Sequence, residues 1–138
     1  MSLHTLRGRV PASSKKTLII DDGRLNHGMK VKEFHVWGVD YDSLAQMTLC
    51  INENNVGADW DASNGSQIAW SAQAGALAPP PMMAHFSLID PDHVVIQDLI
   101  INNFGTTDGN YLVILEQIKL SDDQAIIALI KERQQDDL

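Results

Sequence analysis

The sequence of 138 residues holds a single cysteine, Cys50. No internal disulfide can form, which excludes a disulfide scaffold and any multi-cysteine zinc or iron–sulfur site. No run approaches the roughly 20 apolar residues of a membrane-spanning helix, so no membrane partner is expected. The opening MSLHTLRGRVPASS lacks the apolar core of a secretory leader. There is no G-x-S-x-G and no Cys–His signature, and the glycines at 105 and 109 fit neither a phosphate loop nor a dinucleotide fingerprint. No catalytic residue emerges, so the chain is not expected to be an enzyme or to need a cofactor.

Positive charge is also short. Residues 1–60 balance seven Lys/Arg against seven Asp/Glu, whereas 61–138 hold three against eleven, which accounts for the net charge of −8. Such a surface repels phosphate backbones, and nucleic acid is not an expected partner. Arg7, Arg9, Lys15 and Lys16 make the first 20 residues a local exception. That segment, about 1–15, reads as an arm lying on an acidic neighbour or as an edge strand kept soluble by its cations.

What is present is a set of strands. Hydrophobic content of 44% with 20% charged residues supports one core in one domain over 1–138. Leu3–Val10 and Lys16–Ile20 are short strand candidates. Met29–Val39 is a stronger one whose apolar positions change phase between Val31 and Phe34, predicting a bulge near Glu33. Ala45, Met47, Leu49 and Ile51 alternate with Gln46, Thr48, Cys50 and Asn52, the pattern of a strand with one polar outer face. The polar stretch 52–66 reads as a loop, Gln67–Ser71 as a short strand, and Met82–Ile89 as another. The stretch AQAGALAPPP at 72–81 has no amphipathic period and is expected to be extended or irregular, with Leu77, Pro79, Pro80, Pro81 and Met82 lying against another chain.

The strongest pattern runs from 89 to 135. Val94–Ile101 and Tyr111–Ile118 are aliphatic, β-branched runs joined by a loop with an Asp108–Gly109 step, which predicts an antiparallel hairpin. Ser121 and Gln124 form a capping box that opens a helix over 121–134. Ala125, Ile126, Leu129 and Ile130 give that helix an apolar stripe. Ile126, Leu129 and Ile130 must dock on this chain's sheet or on a neighbour. The whole predicts an all-β, jelly-roll-like sandwich with a short C-terminal helix.

Three site readings compete with simple structure. Asp90, Asp92 and His93 could ligate a divalent cation, or merely flank a proline turn. Asp59 and Asp61 open a calcium-like loop, but glycine falls one place late for an EF-hand and Trp70 stands where the closing glutamate belongs. Trp60, Trp70 and Tyr41 could stack on a sugar ring, giving a carbohydrate-binding module as the alternative function. A cupin-like metalloprotein using His85 and His93 is a further alternative.

Five strings together, LIIDDGRLNHG at 18–28, QIAW at 67–70, IDPDHVVIQD at 89–98, NYLVILE at 110–116 and IKERQQ at 130–135, resemble small virion proteins of tailed bacteriophages. The resemblance implies a capsid-associated or decoration-type structural protein, made in the host cytoplasm and located in the virion. It implies many copies without a cofactor, with partners in the chain itself (a homo-oligomer) and in other virion proteins such as a capsid shell. It carries over no catalytic residue. Arg7, Arg9, the 77–82 segment and the helix stripe are then the interface candidates.

Overall fold

The computed structural model describes residues 2–20, 27–39, 44–52, 56–57, 59–76, 82–96, 98–121, 124–127 and 130. Eight strands follow one another: β1 (Ser2–Val10), β2 (Ser14–Leu18), β3 (His27–Gly38), β4 (Ala45–Cys50), β5 (Gln67–Ala76), β6 (Met82–Ile89), β7 (Leu99–Asn103) and β8 (Gly109–Lys119). They form two antiparallel sheets, one in the order β1-β8-β3 and one in the order β2-β7-β4-β5-β6. The chain changes sheet between β1 and β2, β2 and β3, β3 and β4, and again between β7 and β8. That is the winding of a jelly roll, in which strands distant in sequence become neighbours.

Alternation along each strand decides what faces inward. From β8 come Tyr111, Val113 and Leu115; from β3, Val31, Phe34 and Val36; from β4, Met47 and Leu49; from β7, Leu99 and Ile101. All join one core between the sheets. A fully buried aliphatic of this kind contributes about 1.5–3 kcal/mol, so these side chains hold the sheets together. The expected bulge in β3 is present, as a register shift between Val31 and Glu33 against β8. Of the two readings of the basic N-terminus, the structure shows the edge strand: Ser2–Val10 pairs with β8 along its whole length.

The predicted hairpin is not formed. β7 pairs with β2 and β4, while β8 pairs with β1 and β3, so the glycine-bearing loop crosses from one sheet to the other. Asn103 is the physical reason. Its buried amide donates to the carbonyls of Val10 and Thr107, and its Oδ1 accepts from the Gly105 N–H. This folds the loop over the end of the sandwich instead of reversing it within one sheet. The aliphatic run before it is also divided. Val95 makes an isolated bridge to Met29 of β3, and only Leu99–Asn103 forms β7. Between them Asp98 turns inward to accept the Ile20 N–H.

Of the two readings of 72–81, extended or irregular, the structure shows the extended one as far as Ala76. β5 continues through Ala72 to Ala76 because β6 completes its ladder as far as Ala76 opposite Met82. The small side chains give no period, yet every paired backbone group is satisfied by the neighbouring strand. Leu77 and Pro79–Pro81 lie outside the described residues, as do Tyr41 and Leu129; Met82 opens β6.

The capping box is formed as expected: Ser121 Oγ accepts from the Gln124 N–H, and Gln124 Oε1 accepts from the Ser121 N–H. The helix it starts covers 124–127, with 130 also helical. Ala125 packs on Ile96 and Leu120 in a small second core.

Candidate functional site

The outer face of the five-stranded sheet is built around Gln67, the first residue of β5. It is 3% exposed and makes four hydrogen bonds. Its Nε2 donates to the carbonyls of Val56 and Asp59, and its Oε1 accepts from the Asp61 N–H and the Trp70 indole N–H. Asn102 of β7 adds a bond from its amide to the Gly57 carbonyl. The polar loop is thereby laid across the sheet. Thr48 and Cys50, on the face that alternation marks as outward, are consequently fully buried, which corrects the expectation of a solvated polar face on β4. Burial pushes the Cys50 thiol up to about 11; its contact with Thr48 and the charge of Lys15 only partly oppose this. A buried, protonated thiol is a poor nucleophile.

At the tip of this loop Trp60 lies flat on Phe86 of β6, with ring centroids 5.2 Å apart, and meets Phe104 edge-on. Cross-strand register places Trp70 opposite Leu88 and Ala72 opposite Phe86. Trp60, Phe86 and Leu88 remain exposed, with Leu88 at 56%. This is an apolar patch, and its central ring is held in place by the sheet beneath.

Register also fixes the outer face of the three-stranded sheet. One row reads Arg9, Asn110, Trp37, and the next Arg7, Leu112, His35. Trp37, Arg7 and Arg9 are exposed. Further along, Lys32 pairs with Glu116 at 3.1 Å, and His35 Nε2 lies 3.4 Å from Glu33. A third apolar surface is the C-terminal helix, where Ile126 and Ile127 are each 55% exposed and Ile130 is 48% exposed. The expected stripe of Ala125, Ile126, Leu129 and Ile130 is therefore not one buried face: Ala125 points into the protein, and Ile126 and Ile130 point out.

Among the sugar-stacking candidates, Trp60 and Trp70 sit on the same sheet face, but one side of Trp60 is occupied by Phe86. Asp61 accepts from the hydroxyl and backbone N–H of Ser63, an Asx turn that holds its carboxyl below the usual range. Asp90 likewise accepts from the Asp92 N–H. His85 lies on β6 with its ring 5.9 Å from that of His35. Among the described residues no three of His, Cys, Asp and Glu converge as a metal would require.

Sequence reasoning missed Phe86, Leu88, Phe104 and Ile127. The alternation of Phe86 and Leu88 with His85 and Ser87 was a usable signal, but it does not say which set faces the core. No protein-family model matches the chain, and neither a curated protein nor a solved structure is found similar to it. The protein is thus defined by its fold, a jelly-roll sandwich, and by the apolar faces on its outside.

Proposed function

We propose that this chain is a non-enzymatic structural protein that works by contact between subunits, as a capsid cement or decoration subunit, or a related virion component, of a tailed phage. The observation that carries this reading is the placement of large apolar side chains outside the core. Trp60, Phe86 and Leu88 lie on one sheet, Trp37 on the other, and Ile126, Ile127 and Ile130 on the helix. Grouped exposed apolar residues rimmed by polar ones mark contact surfaces more often than they occur by chance. Two rigid sheets fix these surfaces relative to one another, which repeated assembly requires. Its partners would be further copies of itself and a shell protein, in the virion.

Size-exclusion chromatography with light scattering tests the reading. A defined oligomer is the expected result, and a strictly monomeric particle at high concentration would overturn it.

A carbohydrate-binding module is the second reading, favoured by the aromatic patch at Trp60. Titration against a glycan panel, with Trp60→Ala as control, decides it. A fluorescence change that the variant loses supports sugar binding, and an unchanged spectrum with every glycan removes it.

A further inference from the structure

Each sheet ends in two edge strands, β1 and β3 in one and β2 and β6 in the other. An open edge invites pairing by another strand, and proteins guard it with charge, proline or a bulge. Three of these edges are guarded. β1 carries Arg7 and Arg9, β2 carries Lys15 and Lys16, and β3 carries Lys30, Lys32 and the bulge at Glu33. β6 reads MMAHFSLI, with no Lys, Arg, Asp, Glu or Pro, and it pairs with β5 without a register shift. Ala84, His85, Phe86 and Leu88 on it are exposed.

Hydrogen bonding fixes which backbone groups of β6 are open. The Asp90 N–H donates to the Ile68 carbonyl, and the Phe86 carbonyl accepts from Ser71 Oγ, so the even-numbered residues turn toward β5. The N–H and C=O of one residue point the same way, and successive residues alternate. Met83, His85, Ser87 and Ile89 therefore present their backbone groups to the open edge. That set is symmetric about Phe86. A second β6 laid antiparallel, with a two-fold axis at Phe86, sets Met83 opposite Ile89 and His85 opposite Ser87, in both directions. Every open group of each copy then has a partner, with two bonds per pair and about eight in all. A slip of two residues in one direction sets Met83 opposite Pro91, which has no N–H. In the other direction it carries Ile89 past the start of the strand.

The same register matches the side chains. On the outer face Phe86 meets its own copy on the axis, and Leu88 lies against Ala84, large against small. Trp60, already flat on Phe86, extends the apolar row on both sides. The chain has a net charge of −8, and two copies meet along this strand without like charges facing each other. A partner recognised by opposite charge would find no acidic group within it.

We infer that two copies of this chain associate through β6, edge to edge and antiparallel about Phe86, joining their five-stranded sheets into one. This rests on the proposed role as an assembling subunit and names the surface used. The contact is the same patch on both copies, so it closes at a dimer. Its affinity comes from main-chain bonds along the added strand.

The test uses the full chain. In His85→Pro the proline removes an N–H that points to the open edge and none that points to β5, so the existing ladder is kept. Light scattering should show wild type associating, and this variant should need at least about tenfold more protein to do so. Two cysteine variants at exposed positions read the register. Ala84 faces Leu88 of the second copy at a Cα separation of about 4.5 Å, within disulfide reach. Ala84 and its own copy are at least four steps, about 13 Å, apart. Under mild oxidation a mixture of Ala84→Cys and Leu88→Cys chains should give a crosslinked pair, and neither variant alone should; Cys50 is buried and takes no part. Thermal unfolding confirms that each variant is folded, and the cysteine variants carry the test if His85→Pro is not. A crosslink confined to the mixture supports the contact. Equal crosslinking by one variant alone would reject the axis at Phe86. No crosslink in the mixture, or a folded His85→Pro that associates like wild type, would overturn the contact and leave the proposed function standing, whereas a monomeric wild type would overturn both.

Discussion

The hydroxyl of Ser87 donates a 2.6 Å hydrogen bond to the carbonyl of Phe34. It joins β6, the edge of the five-stranded sheet, to β3, the edge of the three-stranded one. β6 takes its ladder from β5, so this side-chain bond stands where a more regular jelly roll would continue the three-stranded sheet. Replacing Ser87 with Ala leaves the Phe34 carbonyl short of a partner. A loss of about 1–2 kcal/mol is expected, with a fall in Tm of about 3–6 °C. Calorimetry checks it, and an unchanged Tm would mean the seam is held by packing alone.

Gln67 should be the most sensitive polar residue outside the core. Gln67→Leu keeps the volume but removes four hydrogen bonds at once, freeing the loop that carries Trp60. The loss is expected to reach about 2–3 kcal/mol, since the buried ends of those bonds go unpaired. Tryptophan emission should shift to the red, and limited proteolysis should begin within 56–66. Resistance to protease equal to wild type would show that stacking on Phe86 suffices to hold the loop.

Gly57 sits at φ 76°, a left-handed conformation, and a Cβ there would lie 2.9 Å from the Gln67 amide nitrogen. Gly57→Ala should therefore reproduce part of the Gln67 phenotype, at a cost of about 1–2 kcal/mol. Exchange of the Trp70 indole proton, followed by NMR, should accelerate.

Cys50 predicts a pH dependence. Burial raises its folded pKa from the ordinary 9.0 to about 11, so the folded state holds the proton more tightly than the unfolded chain. Its contribution is intact below about pH 9 and is lost as pH rises toward 11. The stability difference between wild type and Cys50→Ala should therefore shift against wild type across that window, which denaturant titrations at several pH values would reveal. Alkylation of the native protein near pH 8 should proceed only as fast as the protein opens.

Ser121→Ala removes the hydroxyl arm of the capping box, the bond from the Gln124 N–H to Ser121 Oγ, and leaves the bond from the backbone N–H of residue 121 to Gln124 Oε1. It should remove about 1 kcal/mol of local helix stability and reduce the helical signal in circular dichroism. The global Tm should move little, because only Ala125 ties the described part of the helix to the core.

Much of this architecture is legible in the chain. The β3 bulge follows from the change of phase at Val31 and Phe34, and the helix start from Ser121 and Gln124. The inward face of β4 follows from Met47 and Leu49. These signals are local: each depends on residues a few positions apart, through side-chain alternation or a capping bond. The partner of each strand was less legible. An apolar run, a glycine loop and a second apolar run describe a hairpin and a crossing between sheets equally well. Asn103, whose amide turns the loop, looks in sequence like any loop-edge asparagine. Likewise Thr48 and Cys50 read as solvated until a loop from elsewhere lies over them.

The sequence by itself determined that this is an acidic strand-forming chain with one thiol, one capped helix and enough aliphatic residues for a single core. Those properties are set by composition and by the period of side chains along the backbone. Only the tertiary structure decided which strands share a sheet and which of two alternating faces is inside. It also decided that Trp60 of the polar loop stacks on Phe86 of β6. The reason is that burial and long-range hydrogen bonding are shared between segments up to about a hundred residues apart, such as Val10 and Asn103. No local pattern records them.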